Sequence, residues 1–131
     1  MIIAVDGPTA SGKGTIAKAL ARLARGDLLS EASTQLITSS MEKTRSGPRR
    51  LKGGVPAGWT IAHKTGTGQF FDGVQSGYND VGILTAPDGS IYSLAVLIGQ
   101  TRASYAARMA MMQEVTRTVA RYHDALADET S

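Results

Sequence analysis

The sequence predicts an α+β fold: an antiparallel three-stranded sheet with a long C-terminal helix on one face and further helices beside it. Three observations predict it. Residues 60–67, 78–86 and 91–98 read as strands, and Pro87-Asp88-Gly89 between the last two is a strong hairpin signal. From about Ala103 to Ala127, Tyr105, Met109, Met112, Val115, Val119, Tyr122 and Leu126 recur at steps of three and four, a stripe wide enough to cover a sheet face. The 131 residues are 42% hydrophobic and 19% charged, enough for one domain with a real core.

Taken in order, Met1–Asp6 is a short β-branched strand. The segment Gly7-Pro8-Thr9-Ala10-Ser11-Gly12-Lys13-Gly14-Thr15 follows, and then a helix from about Thr15 to Arg25, with Ile16, Ala19, Leu20 and Leu23 on one face. Ser30 is the expected N-cap of a second helix, with Glu31 in its first turn. That helix runs to about Arg45, where Gly47-Pro48 stops it; Leu36, Ile37 and Met41 give it an apolar side. Lys52–Gly58 is a Gly/Pro connection, and Gln69–Gly77 a polar turn region. Asp128–Ser131 is expected to fray. The strand Ile2–Val5 either extends the meander at the edge of its last strand or lies apart as a mobile arm.

Composition excludes several function classes. The net charge is +3, from 14 basic and 11 acidic residues, and the basic groups cluster only at Arg45–Lys52 with no interleaved aromatics. Nucleic acid is therefore not an expected partner. Without cysteine there is no disulfide framework and no thiolate metal site, and two distant histidines do not make one. The apolar runs are too short to cross a bilayer. Met1–Asp6 has no basic n-region and meets an acid at once, so the chain as written reads as cytoplasmic.

Two stretches carry chemistry. In Thr60-Ile61-Ala62-His63-Lys64-Thr65-Gly66-Thr67-Gly68, a strand ends in an ammonium, hydroxyls and bare backbone. Lys64, Thr65, Gly66 and Thr67 make a receiver for an anion or oxyanion. By two-residue alternation His63 faces away from Lys64 and is expected to pack as a structural histidine, while His123 falls on the polar side of the last helix. Trp59, Met109, Met111 and Met112 read as packing groups. The second stretch is the glycine loop. Gly7, Ser11, Gly12, Lys13, Gly14 and Thr15, between a strand and a helix, match the context of a phosphate cradle, with ATP and magnesium as its cofactors. The plainer alternative is a tight strand-to-helix turn.

Lys64-Thr65-Gly66 with Gly47–Leu51, Val55–Trp59, Tyr78–Gly82 and Ala95–Gly99 closely resembles the C-terminal half of a class A β-lactamase, over roughly residues 26–125. The resemblance implies that Lys64 and the Thr65 hydroxyl bind a substrate carboxylate and that the Thr67 amide gives one oxyanion donor. It also implies an exported protein, against the opening residues. Met1–Ala24 resembles the opening of cytidylate kinases, so the expectation is a chimera of a kinase-like segment, 1–25, and a β-lactamase-like unit, 26–131. The family's acylation needs a Ser-x-x-Lys helix, a Ser-Asp-Asn loop and a Glu that positions water. Ser40-Met41-Glu42-Lys43 matches the first as a pattern but reads as a solvated helix end, and Tyr78-Asn79-Asp80 is a strand start. The expectation is a fragment that keeps the Lys-Thr-Gly half-site and needs no cofactor. It binds a carboxylate or a β-lactam weakly, forms no acyl-enzyme, and self-associates through its incomplete sheet.

Overall fold

A computed structural model describes residues 2–5 and 12–130. The elements run β1 Ile2–Val5, α1 Lys13–Arg25, α2 Glu31–Glu42, a short 3-10 turn Leu51–Gly54, β2 Thr60–Thr67, β3 Phe70–Phe71, β4 Val74–Thr85, β5 Ile91–Thr101 and α3 Tyr105–Thr130. The sheet order is β1-β5-β4-β2, with β3 also on β4. The meander is antiparallel as expected. Of the two placements open to the first strand, the structure takes the docked one. It is parallel to β5, in the register Ile2↔Ser93 to Val5↔Val96.

The region 69–77 is more ordered than its polarity suggests. β2 and β3 form one ladder on β4: Thr67 faces Tyr78, Gly68 N–H donates to Gly77 O (2.6 Å), Ser76 N–H donates to Gln69 O (2.9 Å), and Phe70 faces Gln75. Asp72 and Gly73 close the ribbon at φ 49° and 73°, the left-handed pair that a two-residue hairpin requires. Asp-Gly is a hairpin signal in the sequence, so this turn was readable and was missed. At Gly68 an added Cβ would lie 2.2 Å from the Ser76 carbonyl oxygen, so only glycine lets the two strands approach there.

Apolar residues cover both faces of the sheet. On one, Ile61, Tyr78, Leu84, Leu94 and Val96 pack under Met109, Met112 and Val119 of α3, with Leu51 of the 3-10 turn. On the other, Ala62 and Ile83 meet Leu20 and Leu23 of α1, with Met41 of α2 alongside. The buried face of α3 is narrower than the expected stripe. Tyr105, Tyr122 and Leu126 are exposed, whereas Arg108, Thr116 and Ala120 are buried. Thr116 is absent from an apolar pattern because its hydroxyl is satisfied internally, donating to Leu51 O at 2.7 Å. His123 corrects its sequence reading. It lies between Trp59 and Tyr92, with Nδ1 2.6 Å from Tyr92 Oη and Nε2 3.2 Å from Asp88. Those polar partners let a histidine occupy an inward position. Residues 128–130 continue the helix rather than fraying.

Candidate functional site

β2 ends the sheet path, so among the described residues its outer edge carries no strand. The other edge is fixed on β4, and this holds the Lys-Thr-Gly end in place. Lys64 is exposed on the α2 side, where its ammonium donates to the Thr65 carbonyl. With Leu36, Ile37, Ser40, Met41 and Thr44 it lines a shallow, largely apolar groove. Thr65 Oγ1 lies 2.6 Å from Ser46 Oγ. Gly47, at φ 60°, presses so close that a Cβ there would meet Thr65 Cγ2 at 2.7 Å. Gly66 has room for a side chain, its nearest neighbours being Asn79 atoms at 3.9 Å. Thr67 Oγ1 accepts from Arg50. The four residues read as an anion receiver therefore share one strand end, with Lys64 on its α2 face and the Thr65 and Thr67 side chains on the other.

Arg50 was not singled out from the sequence. It is 7% exposed, and its guanidinium donates to Asn79 O (2.7 Å), Gly66 O (3.3 Å) and Thr67 Oγ1 (2.5 Å). Its Cζ lies over the Tyr78 ring, 3.9 Å from the centroid. Burial pushes the Tyr78 phenol above its ordinary value, with the nearby Arg50 cation opposing the shift. Among the described residues no carboxylate comes within ion-pair distance of Arg50, and its Nε is buried without a partner. The Arg50 guanidinium is thus held by neutral acceptors and a ring face, with no counter-charge beside it among the described residues.

The turn carrying Arg50 is docked on α3. Thr116 holds Leu51 O, Gln113 Nε2 donates to Arg49 O (2.7 Å), and a Cβ on Gly54 would strike the Gln113 carbonyl at 2.2 Å. Below the strand, His63 is a buried structural histidine, as its alternation implied. Its Nδ1 lies 2.9 and 3.1 Å from the two oxygens of Asp80, a fully buried carboxylate that also accepts the Leu51 N–H at 3.2 Å.

The remaining candidates do not join this site as catalysts. Ser40 Oγ donates to Leu36 O of its own helix (2.8 Å), and Lys43 is the exposed C-cap of α2. Asn79 lies mid-strand, its Oδ1 accepting the Ile98 N–H at 2.9 Å. Gly7 and Ser11 lie outside the described residues. Gly12 caps α1 at φ 86°, and Lys13, Gly14 and Thr15 form the helix's first turn. No group of three metal-ligating side chains occurs among the described residues.

The profile of the β-lactamase enzyme family matches residues 11–123. The chain belongs to the β-lactamase enzyme family. It is 40% identical over 90 residues to the extended-spectrum β-lactamase PER-1 of Pseudomonas aeruginosa, covering 69% of this chain and 29% of that protein. It is 29% identical over 99 residues to β-lactamase VEB-1 of the same organism, covering 76% and 33%. A solved β-lactamase from Chitinophaga pinensis superposes with a TM-score of 0.72 at 30% identity, over 89% of this chain and 48% of that one. The chain thus spans about a third of these curated relatives' length and about half of the solved β-lactamase chain. Its architecture is a partial β-lactamase fold. The family match begins before α1, ahead of the seam expected from the kinase resemblance.

Proposed function

We propose that the chain is the carboxylate-binding half of a β-lactamase-type serine hydrolase site. Thr65 and Thr67, with Arg50 behind them, and Lys64 reaching in from the other face of the strand end, receive the carboxylate of a β-lactam or related acyl compound. The observation that carries this reading is Arg50: buried, beside Thr67, and without a carboxylate partner among the described residues. The Ser40 hydroxyl is directed to its own helix, so Ser40 is not an activated nucleophile for the pocket. Lys64 and Thr67 are exposed to solvent, which screens their contacts. The expected affinity for a carboxylate is millimolar, roughly 4 kcal/mol. Intact-mass spectrometry after incubation with a penicillin tests the hydrolase side. The expected spectrum is that of the unmodified protein; a stoichiometric adduct, above all one mapping to Ser40, would refute the reading.

A second reading belongs to another class and rests on Gly12, whose left-handed φ of 86° starts α1 directly before Lys13. In it the kinase-like opening binds the phosphates of ATP with magnesium weakly, through Gly12, Lys13, Gly14 and Thr15, without phosphoryl transfer. ATP–magnesium titration of the wild type against Lys13→Ala decides it, since equal binding by both proteins removes the loop.

A further inference from the structure

We infer that His63 and Asp80 are positioning residues for the anion pocket, acting through the backbone of Leu51; the inference rests on the anion reading of Arg50 and Thr67. Asp80 faces Thr65 across the β2–β4 ladder and is fully buried. Its Oδ2 accepts the N–H of Leu51, the residue after Arg50, at 3.2 Å. The side chain that sets the pocket's guanidinium is thus tethered, one residue away, to a carboxylate inside the sheet. Asp80 is held in turn by His63. Nδ1 of that ring reaches both carboxylate oxygens, at 2.9 and 3.1 Å.

The ring is used on one side only. Nε2 is buried and has no partner among the described residues, so the polar contacts of the imidazole are directed to Asp80. Here Nδ1 of the imidazole fixes the carboxylate that fixes the Arg50 turn.

Charge and position make opposite predictions for Asp80. Asp80 is the ladder partner of Thr65, so a negative charge on it would oppose an incoming anion. If charge were its whole effect, neutralising it would tighten anion binding. If it positions Arg50, losing the contact to Leu51 weakens binding whatever the charge. Side-chain shape separates the two effects. Asparagine at 80 is neutral but keeps an acceptor for Leu51 and a donor for His63 Nδ1. Asparagine at 63 places its amide nitrogen where Nδ1 lies, whereas glutamine places it near Nε2.

The experiment is a heteronuclear NMR titration of the whole chain with acetate, following Arg50 and Thr67, together with hydrogen exchange at the Leu51 amide. Asp80→Ala and His63→Gln are expected to weaken acetate binding about tenfold and to speed Leu51 exchange. Asp80→Asn and His63→Asn should bind within about twofold of wild type with Leu51 still protected. Unchanged Leu51 exchange in Asp80→Ala, or equal tightening in Asp80→Ala and Asp80→Asn, would overturn the inference. If the wild type fails to bind acetate, the anion reading falls by itself. The Leu51 amide and Arg50 side-chain signals then decide the positioning role: displacement in Asp80→Ala and His63→Gln but not in the asparagine variants supports it, and no displacement ends it.

Discussion

Arg50 reaches two carbonyl oxygens, one hydroxyl and a tyrosine face from a single planar group. Lysine cannot reproduce that fork. Arg50→Lys should therefore weaken carboxylate binding about tenfold, roughly 1.4 kcal/mol, measured by the same acetate titration. Nothing in the local sequence marks this residue, because Arg50 and Thr67 are far apart in the chain and meet only once the 3-10 turn docks on α3. Lys64, Thr65 and Thr67 were legible because their chemistry is contiguous. Asp80 was hidden by its place in a strand, where a carboxylate reads as solvent-facing until His63 and Leu51 are seen to bury it. At the far end of the sheet, the Ser90 N–H holds the Asp88 carboxyl below its ordinary value, with His123 contributing. A depressed carboxyl contributes stability at neutral pH that is lost as the pH falls through its folded-state titration. Melting temperatures from pH 7 to pH 3 should show that loss in the wild type and a flatter acid limb in Asp88→Asn.

The Lys-Thr-Gly strand depends on two glycines that the sequence does not distinguish. Gly68 sits against the Ser76 carbonyl, whereas Gly66 has 3.9 Å of room. Gly68→Ala should destabilise the protein by about 2 kcal/mol or more, because backbone rather than a flexible side chain must move. Gly66→Ala should cost less than about 1 kcal/mol. Chemical denaturation of the two variants checks the contrast, and equal losses would mean the ribbon is looser than the ladder implies. The Pro87-Asp88-Gly89 hairpin, the Ser30 cap and the long α3 were legible because each follows from local turn chemistry or a long period. The inward face of α3 was only half legible: Thr116 and His123 take core positions through hydrogen bonds that an apolar count does not register.

The molecule as a whole presents an unfinished surface. β2 is an open edge among the described residues, Leu36 and Ile37 are exposed in the groove with Lys64, and Leu28 and Leu29 are exposed ahead of α2. Phe70 and Phe71 stand out at 65% and 80% exposure on the β3 hairpin. Such surface favours association. Sedimentation velocity at increasing concentration should show the average mass rising, and a monodisperse monomer throughout would contradict this. The central claim, a carboxylate receptor built from Lys64, Thr65 and Thr67 with Arg50, is tested most directly by the acetate titration of the wild-type chain. The account predicts saturable, millimolar shifts confined to Arg50 and residues 64–68. Shifts elsewhere, or none at this strand end, would contradict it.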